Sequence, residues 1–220
     1  MFVSSIDVGI VNLGVIFVEL DDITLQLIQI IYVDNVNSTV FEHNVVSHDN
    51  CTLGHMKTTT DRLMHFVQER QPMFDMCLHV LIERQPPLGH TDVEQILFFM
   101  FRDKAVLISP NAMHKFFKIS NHSYENRKHQ TVLIANAFLS IDQFPEYHNL
   151  ERKHDIADAF CQLLFWVDMQ HKRLETSKRP SPPPPLAMDA MDAMDAMDSG
   201  SPAINRFNQF IFKKNNQKTI

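Results

Sequence analysis

Four carboxylates, widely separated along the chain, are the residues best placed to do chemistry. Asp7 closes an apolar run in Ser5-Ile6-Asp7-Val8-Gly9-Ile10-Val11-Asn12-Leu13-Gly14. An acid at a strand end, next to a glycine, projects beside an uncrowded backbone and suits a metal ligand or a phosphate-binding hairpin. The same Asp-x-Gly also makes ordinary turns. Glu83 ends a second apolar run, 78–82, and is followed by Arg84-Gln85-Pro86-Pro87. It therefore sits at a sheet edge rather than in the interior, where it either meets Asp7 or is solvated beside Arg84. Asp155 and Asp158, in His154-Asp155-Ile156-Ala157-Asp158-Ala159, are three apart and share one face of a helix. Ile156, Ala157, Ala159, Phe160 and Leu163 read as the packed side, and acids beside such a face are costly unless paired or metal-bound. A helix N-terminus also favours Asp through its dipole, which accounts for Asp155 more readily than for Asp158. Together the four could hold two Mg²⁺ ions, or Mn²⁺ in their place, roughly 4 Å apart. One ion would activate a water for in-line attack on phosphorus and the other would stabilise the leaving 3′ oxygen.

Those acids need a sheet and a late helix to bring them together. Apolar patterning predicts strands over about 2–8, 13–20 and 23–33, with Asp21-Asp22 as a two-residue hairpin turn, so the chain opens with three antiparallel strands. A helix is predicted over 56–69, then a buried strand over 77–82 that delivers Glu83. A further helix starts at Thr91-Asp92, with Glu94 completing a capping box. A fifth strand covers 105–108 and is stopped by Ser109-Pro110. Helices follow over 125–139 and 154–174. The order β-β-β-α-β-α-β-α-α implies an α/β domain with a mixed sheet and flanking helices.

Domain organisation follows composition. Residues 1–175 read as the folded domain. Residues 176–203 hold a polyproline stretch and Ala-Met-Asp repeats and read as a low-complexity linker, and 204–220 form a tail of mixed Phe and Lys/Arg. That tail could be a docking or DNA-binding peptide or simply frayed. With 45% hydrophobic and 21% charged residues the chain is ordinary for a globular protein. No run approaches the roughly 18 apolar residues of a membrane helix, so no membrane partner is expected. The opening Met1-Phe2-Val3-Ser4-Ser5 lacks the basic start of a secretory signal. Cys51, Cys77 and Cys161 are few and widely spaced, as in a reduced protein. An intracellular location is expected, nuclear or cytoplasmic.

The net charge of −6 weighs against nucleic acid, whose affinity comes largely from Lys and Arg. The local distribution answers this. Lys115, Lys118, Arg127 and Lys128 cluster between 110 and 130 against one acid, Glu125, and form a basic strip able to steer a phosphate backbone. These four are the candidate DNA-binding residues. His154 could assist proton transfer or be a solvated helix-start histidine. Phe116-Phe117 could stack on an unpaired base or belong to the core. His43, His48, Cys51 and His55 could coordinate Zn²⁺, but their spacing matches no recognised zinc pattern.

The three acidic motifs resemble those of the RuvC-type Holliday junction resolvases of the RNase H-like superfamily, especially the resolvases of poxviruses and other large DNA viruses and those of fungal mitochondria. Ile6-Asp7-x-Gly9-x-x-Asn12-Leu13-Gly14 is similar to the opening motif, Ile82-Glu83-Arg84-Gln85 to the second, and Asp155-Ile156-Ala157-Asp158-Ala159 to the closing one, in order and over about residues 2–170. The resemblance implies an RNase H-like five-stranded sheet, with three antiparallel and two parallel strands. It implies a metal-binding catalytic site of Asp7, Glu83, Asp155 and Asp158, and Lys115 and Lys128 as basic residues near the scissile phosphate. It also implies a homodimer that nicks opposed strands of four-way junction DNA during recombination or repair. The apolar helix 93–101, hydrophobic nearly all round, suits either that dimer contact or a fully buried core helix. Two other readings stay open from the residues themselves. One is an RNase H-like nuclease acting on RNA–DNA hybrids or RNA. The other, a sugar kinase of the actin-like fold, shares the Asp7-Val8-Gly9 loop but needs a second such half, which this chain lacks.

Overall fold

The first acidic strand is the middle of the sheet. In the computed structural model, which describes residues 1–38, 58–119, 123–141 and 144–177, β1 (Phe2–Asp7) lies between β2 (Leu13–Leu20) and β4 (Cys77–Glu83). The remaining strands are β3 (Leu27–Val36) and β5 (Ala105–Ile108), in the sheet order β3-β2-β1-β4-β5. β1, β2 and β3 are antiparallel neighbours, while β4 runs parallel to both β1 and β5. This is the expected mixed five-stranded sheet. The helices are α1 (Thr59–Glu69), α2 (Gln71–Met76), α3 (Thr91–Met100), α4 (Pro110–Phe117), α5 (Tyr124–Asn136), α6 (Pro145–Asn149) and α7 (Lys153–Ser177). Among the described residues no helix is long and apolar enough to cross a membrane. Met1–Leu174 forms one compact unit, and the architecture below is that of this unit.

The strand period of two divides the sheet into two faces. Ile6, Val15, Phe17, Val80 and Ile82 face a core completed by Leu63, Phe66 and Val67 of α1, Phe74 of α2, and Val93 and Leu97 of α3. The alternate residues face α7, where the His79 ring lies 5.1 Å from that of Trp166. Gly14 of β2 backs directly onto the N-terminal turn of α7. A Cβ at this position would stand 2.4 Å from the Asp155 carbonyl oxygen and 2.6 Å from its carbon. Only glycine lets the helix carrying the last two acids come this close to the sheet. α7 is enclosed on its other sides too, by Phe116 against Phe165 and Phe138 against Phe160.

Several local expectations are corrected. The link after β2 is not a two-residue hairpin: Asp21 caps a longer turn in which its backbone pairs with Gln26 and Leu25 takes a left-handed φ of 53°. This moves β3 from 23–33 to Leu27–Val36. Thr91 is inside α3 rather than its cap; His90 precedes it, and the Glu94 carboxylate accepts instead from the Gln85 backbone N–H. Pro110 does not merely stop β5. Ser109 caps α4 by accepting from the Ala112 N–H, and Pro110 occupies the first turn, where its missing N–H costs nothing. Helix 56–69 begins at Thr59 behind a Thr58–Asp61 capping box. Residue 56, the His43/His48/Cys51/His55 group, the linker from residue 178 onward and the basic tail lie outside the described residues, while residues 176 and 177 of the expected linker belong to α7.

The Gly14 contact yields the first prediction. Gly14→Ala pushes α7 off the sheet through backbone atoms that cannot rotate away, and we expect a loss of about 1–3 kcal/mol in chemical denaturation, whereas Leu88→Ala, at a fully exposed side chain, serves as a control with no such loss.

Candidate active site

β1 and β4 run in parallel with Ile6 opposite Ile82, so the residues that follow, Asp7 and Glu83, emerge side by side at the same edge of the sheet. α7 crosses that edge and contributes Asp155 and Asp158. All four acids line one cleft of about 1030 Å³, together with Arg127, Lys128, Tyr124, Arg152 and Gln162. The sheet, the crossing helix and the basic helix α5 thus meet at a single place.

The four acids differ in their surroundings. Asp7 is 9% exposed; burial first, and then the nearby charges of Glu83 and Asp158, push its carboxyl well above the usual range. Glu83 is its nearest carboxyl neighbour, and the pairing of the two acids adds to the upward push on Asp7. Glu83 is itself raised by burial, although it accepts from the Val8 N–H at 3.3 Å and the Gln85 amide at 2.7 Å. Burial pushes Asp158 up to about 6, despite the opposing pull of Lys128. Asp155 behaves in the opposite way. Burial disfavours its charge, but Lys128 and Arg152 outweigh that and hold its carboxyl below the ordinary value. It is gripped by Lys128 Nζ at 3.0 Å, Arg152 Nε at 3.1 Å and the Asn35 amide at 3.0 Å, with His154 Nε2 at 3.1 Å. Asp155 is therefore charge-compensated, whereas Asp7, Glu83 and Asp158 repel one another.

Lys128 is the cation embedded among them. Burial alone would lower its pKa, but Asp158 and Asp155 more than offset this and keep the ammonium firmly charged. Its Nζ stands 3.6 Å from Asp158 Oδ2. One lysine does not neutralise this group, and an all-oxygen carboxylate set with excess negative charge is what hard divalent cations take. Among the described residues no three His, Cys, Asp or Glu side chains converge tightly enough to grip an ion as they stand. The donor chemistry, four carboxyls against one embedded lysine, fits a divalent cation.

Of the basic residues expected to touch DNA, Arg127 and Lys128 line the cleft, whereas Lys115 and Lys118 are exposed on the last turn and C-cap of α4, outside the lining. His154 is held off the charged state by burial and by Lys128. Phe116 and Phe117 pack on each other, and Phe116 packs on Phe165 with Lys172 Nζ 5.5 Å from its ring; both are half-buried and stand outside the cleft lining. The aromatic at the cleft is Tyr124, 53% exposed, with Lys128 and Arg127 at 5.2 and 5.8 Å from its ring centre. Sequence reasoning did not single out Tyr124, Asn35, Arg152 or Gln162. Arg152 and Gln162 had a signal, since they fall three residues before Asp155 and four after Asp158, on the same helical stripe.

Comparison with known proteins agrees with this architecture. The fowlpox virus resolvase, solved with substrate Holliday junction DNA, superposes with a TM-score of 0.57 at 16% identity, covering 77% of this chain and 99% of that one. The yeast mitochondrial Holliday junction resolvase superposes with a TM-score of 0.55 at 15% identity, covering 80% and 85%. At such identities the likeness is one of fold. No curated protein sequence matches significantly. The family model described as Poxvirus A22 protein, however, matches residues 1–170, a span that holds all five strands and all four acids, and the chain belongs to that family.

Proposed function

We propose that this chain is a structure-selective endonuclease that resolves four-way DNA junctions with divalent metal ions, as a homodimer nicking opposed strands. The observation that carries the reading is the convergence of Asp7, Glu83 and Asp158, mutually repelling and under-neutralised, in a cleft flanked by Lys128 and Arg127. Two relatives of the same fold are described as Holliday junction resolvases, one of them with its junction DNA, which supports the junction as the substrate.

Each side chain has a distinct part. Asp7, Glu83, Asp158 and, less freely, Asp155 hold Mg²⁺ or Mn²⁺, two ions per site. Such ions supply an activated water and stabilise the departing oxygen. Lys128 fixes the orientation of Asp155 and Asp158 and places a buried positive charge beside the phosphate being cut. Arg127 and Arg152 face the cleft as phosphate partners, while exposed Lys115 and Lys118 extend the basic track along the backbone. α3 supplies the dimer contact, since Phe99 stands 75% exposed on it while Val93 and Leu97 fill the core. That is a narrower surface than a helix apolar all round.

The test is nicking of a synthetic four-way junction, a linear duplex and an RNA–DNA hybrid in Mg²⁺. The junction should be cut in preference. Asp7→Asn and Asp158→Asn should bind it but cut about 10²–10³-fold more slowly, the cost of losing several kcal/mol of charge stabilisation. Preference for the hybrid would replace the junction with that substrate, and brisk cutting by either variant would remove these acids from the site.

The acids also govern stability without metal. Asp158 sits near 6 in the fold against an ordinary 3.8. The folded state thus holds its proton more tightly, and the stability this confers is present below pH 4 and lost as pH rises through about 6. In chelator, Asp158→Asn should therefore melt roughly 2–6 °C above wild type at pH 7.5, with the gap closing towards pH 4. In Mg²⁺ the order should reverse. Thermal melts across that pH range check both.

A further inference from the structure

Asp155, Asp158 and Gln162 follow one another at spacings of three and four along α7, a single helical stripe, and all three line the acidic cleft. Gln162 is the deepest, 1% exposed, among the buried Cys161, Leu163, Leu164 and Trp166. Its Oε1 is fully buried and accepts no hydrogen bond. An orphaned carbonyl oxygen in such a place costs stability, which an apolar side chain of equal volume would not.

The neighbouring groups do not relieve it. The ionised carboxylates beside it on the stripe are acceptors, as it is, and Lys128 is already engaged by Asp155 and Asp158. Oε1 is closed to solvent as it stands, and the open side of the residue is the cleft it lines, so a donor reaches it from there through a small turn of the amide. Water on a divalent cation is such a donor, and groups that hydrogen-bond a metal's coordination sphere from behind are a regular part of metal sites. We propose that Gln162 is a positioning residue of the acidic site, its Oε1 accepting a hydrogen bond from a water carried by the divalent ion and so seating the hydrated ion against Asp158. This rests on the metal-dependent reading above, and extends it to a residue that need not touch the ion or the DNA.

The experiment uses the full chain without DNA and Mn²⁺ as the probe. Paramagnetic resonance gives the Kd for Mn²⁺, and melts in chelator give the metal-free stability. Gln162→Leu and Gln162→Met remove the acceptor at near-constant volume. Both should weaken Mn²⁺ binding about tenfold while leaving the metal-free melting temperature unchanged or higher. Gln162→Glu, which keeps an acceptor oxygen there, should stay within about threefold of the wild-type Kd. Unchanged Mn²⁺ binding in the Leu and Met variants, or a melting temperature lowered alike with and without Mn²⁺ at constant Kd, would overturn the proposal and leave the nuclease reading intact. Failure of the wild type itself to bind Mn²⁺ would overturn both.

Discussion

Like charges do not gather in a protein interior unless something balances them. Burying a carboxylate costs several kcal/mol even after relaxation, and here three of them, Asp7, Glu83 and Asp158, are brought to one edge of one sheet. The parallel pairing of β1 with β4 sets the strand ends side by side, and Gly14 admits the backbone of α7. Without metal the excess charge is met in part by Lys128, and burial favours the protonated form of Asp7. The cleft thus behaves as a half-balanced charge cluster, stable enough to fold and left with a deficit that a divalent cation removes.

The compensation is uneven, and that shapes the site. Asp155 is paired with Lys128 and Arg152 and bonded by Asn35, so the first turn of α7 is anchored to β3 and α5. β3 is held in turn by Arg70, which reaches Asp34 at 2.8 Å while lying against Phe66. Asp155 acts as a hinge pin for the helix that carries Asp158 and Gln162 to the cleft lined by Asp7 and Glu83. Few positions in the chain are so constrained, since the cores on both faces need only apolar residues of suitable volume. This is consistent with a fold shared with the fowlpox virus and yeast mitochondrial proteins at 15–16% identity.

The elements that hold the acids were legible because their signals are local and strong. An apolar run ending in Asp7, another ending in Glu83, and two acids three apart beside Ala157 and Ala159 each declare a strand end or a helix face. What was hidden depends on partners distant in sequence. Nothing near Asp155 announces Asn35 of β3, and nothing near Lys128 distinguishes a lysine buried among carboxylates from one on a DNA-facing strip. Pro110 follows the strand end as expected, but its second role in opening α4 was hidden, because proline suits a helix start as well as a strand stop and only the cap at Ser109 reveals it. Leu25 was missed because a leucine with positive φ is an uncommon way to close a turn. The packing of Phe116 depends on Phe165, from a helix some fifty residues later.

The most direct test of the charge account is crystallographic. Crystals soaked in Mn²⁺ should show anomalous scattering peaks inside the cleft, beside Asp7, Glu83 and Asp158, and Asp7→Asn crystals treated alike should lose or weaken them. A cleft without peaks at saturating Mn²⁺, or peaks bound away from Asp7, would contradict the claim that a divalent cation settles the charge this fold leaves unbalanced.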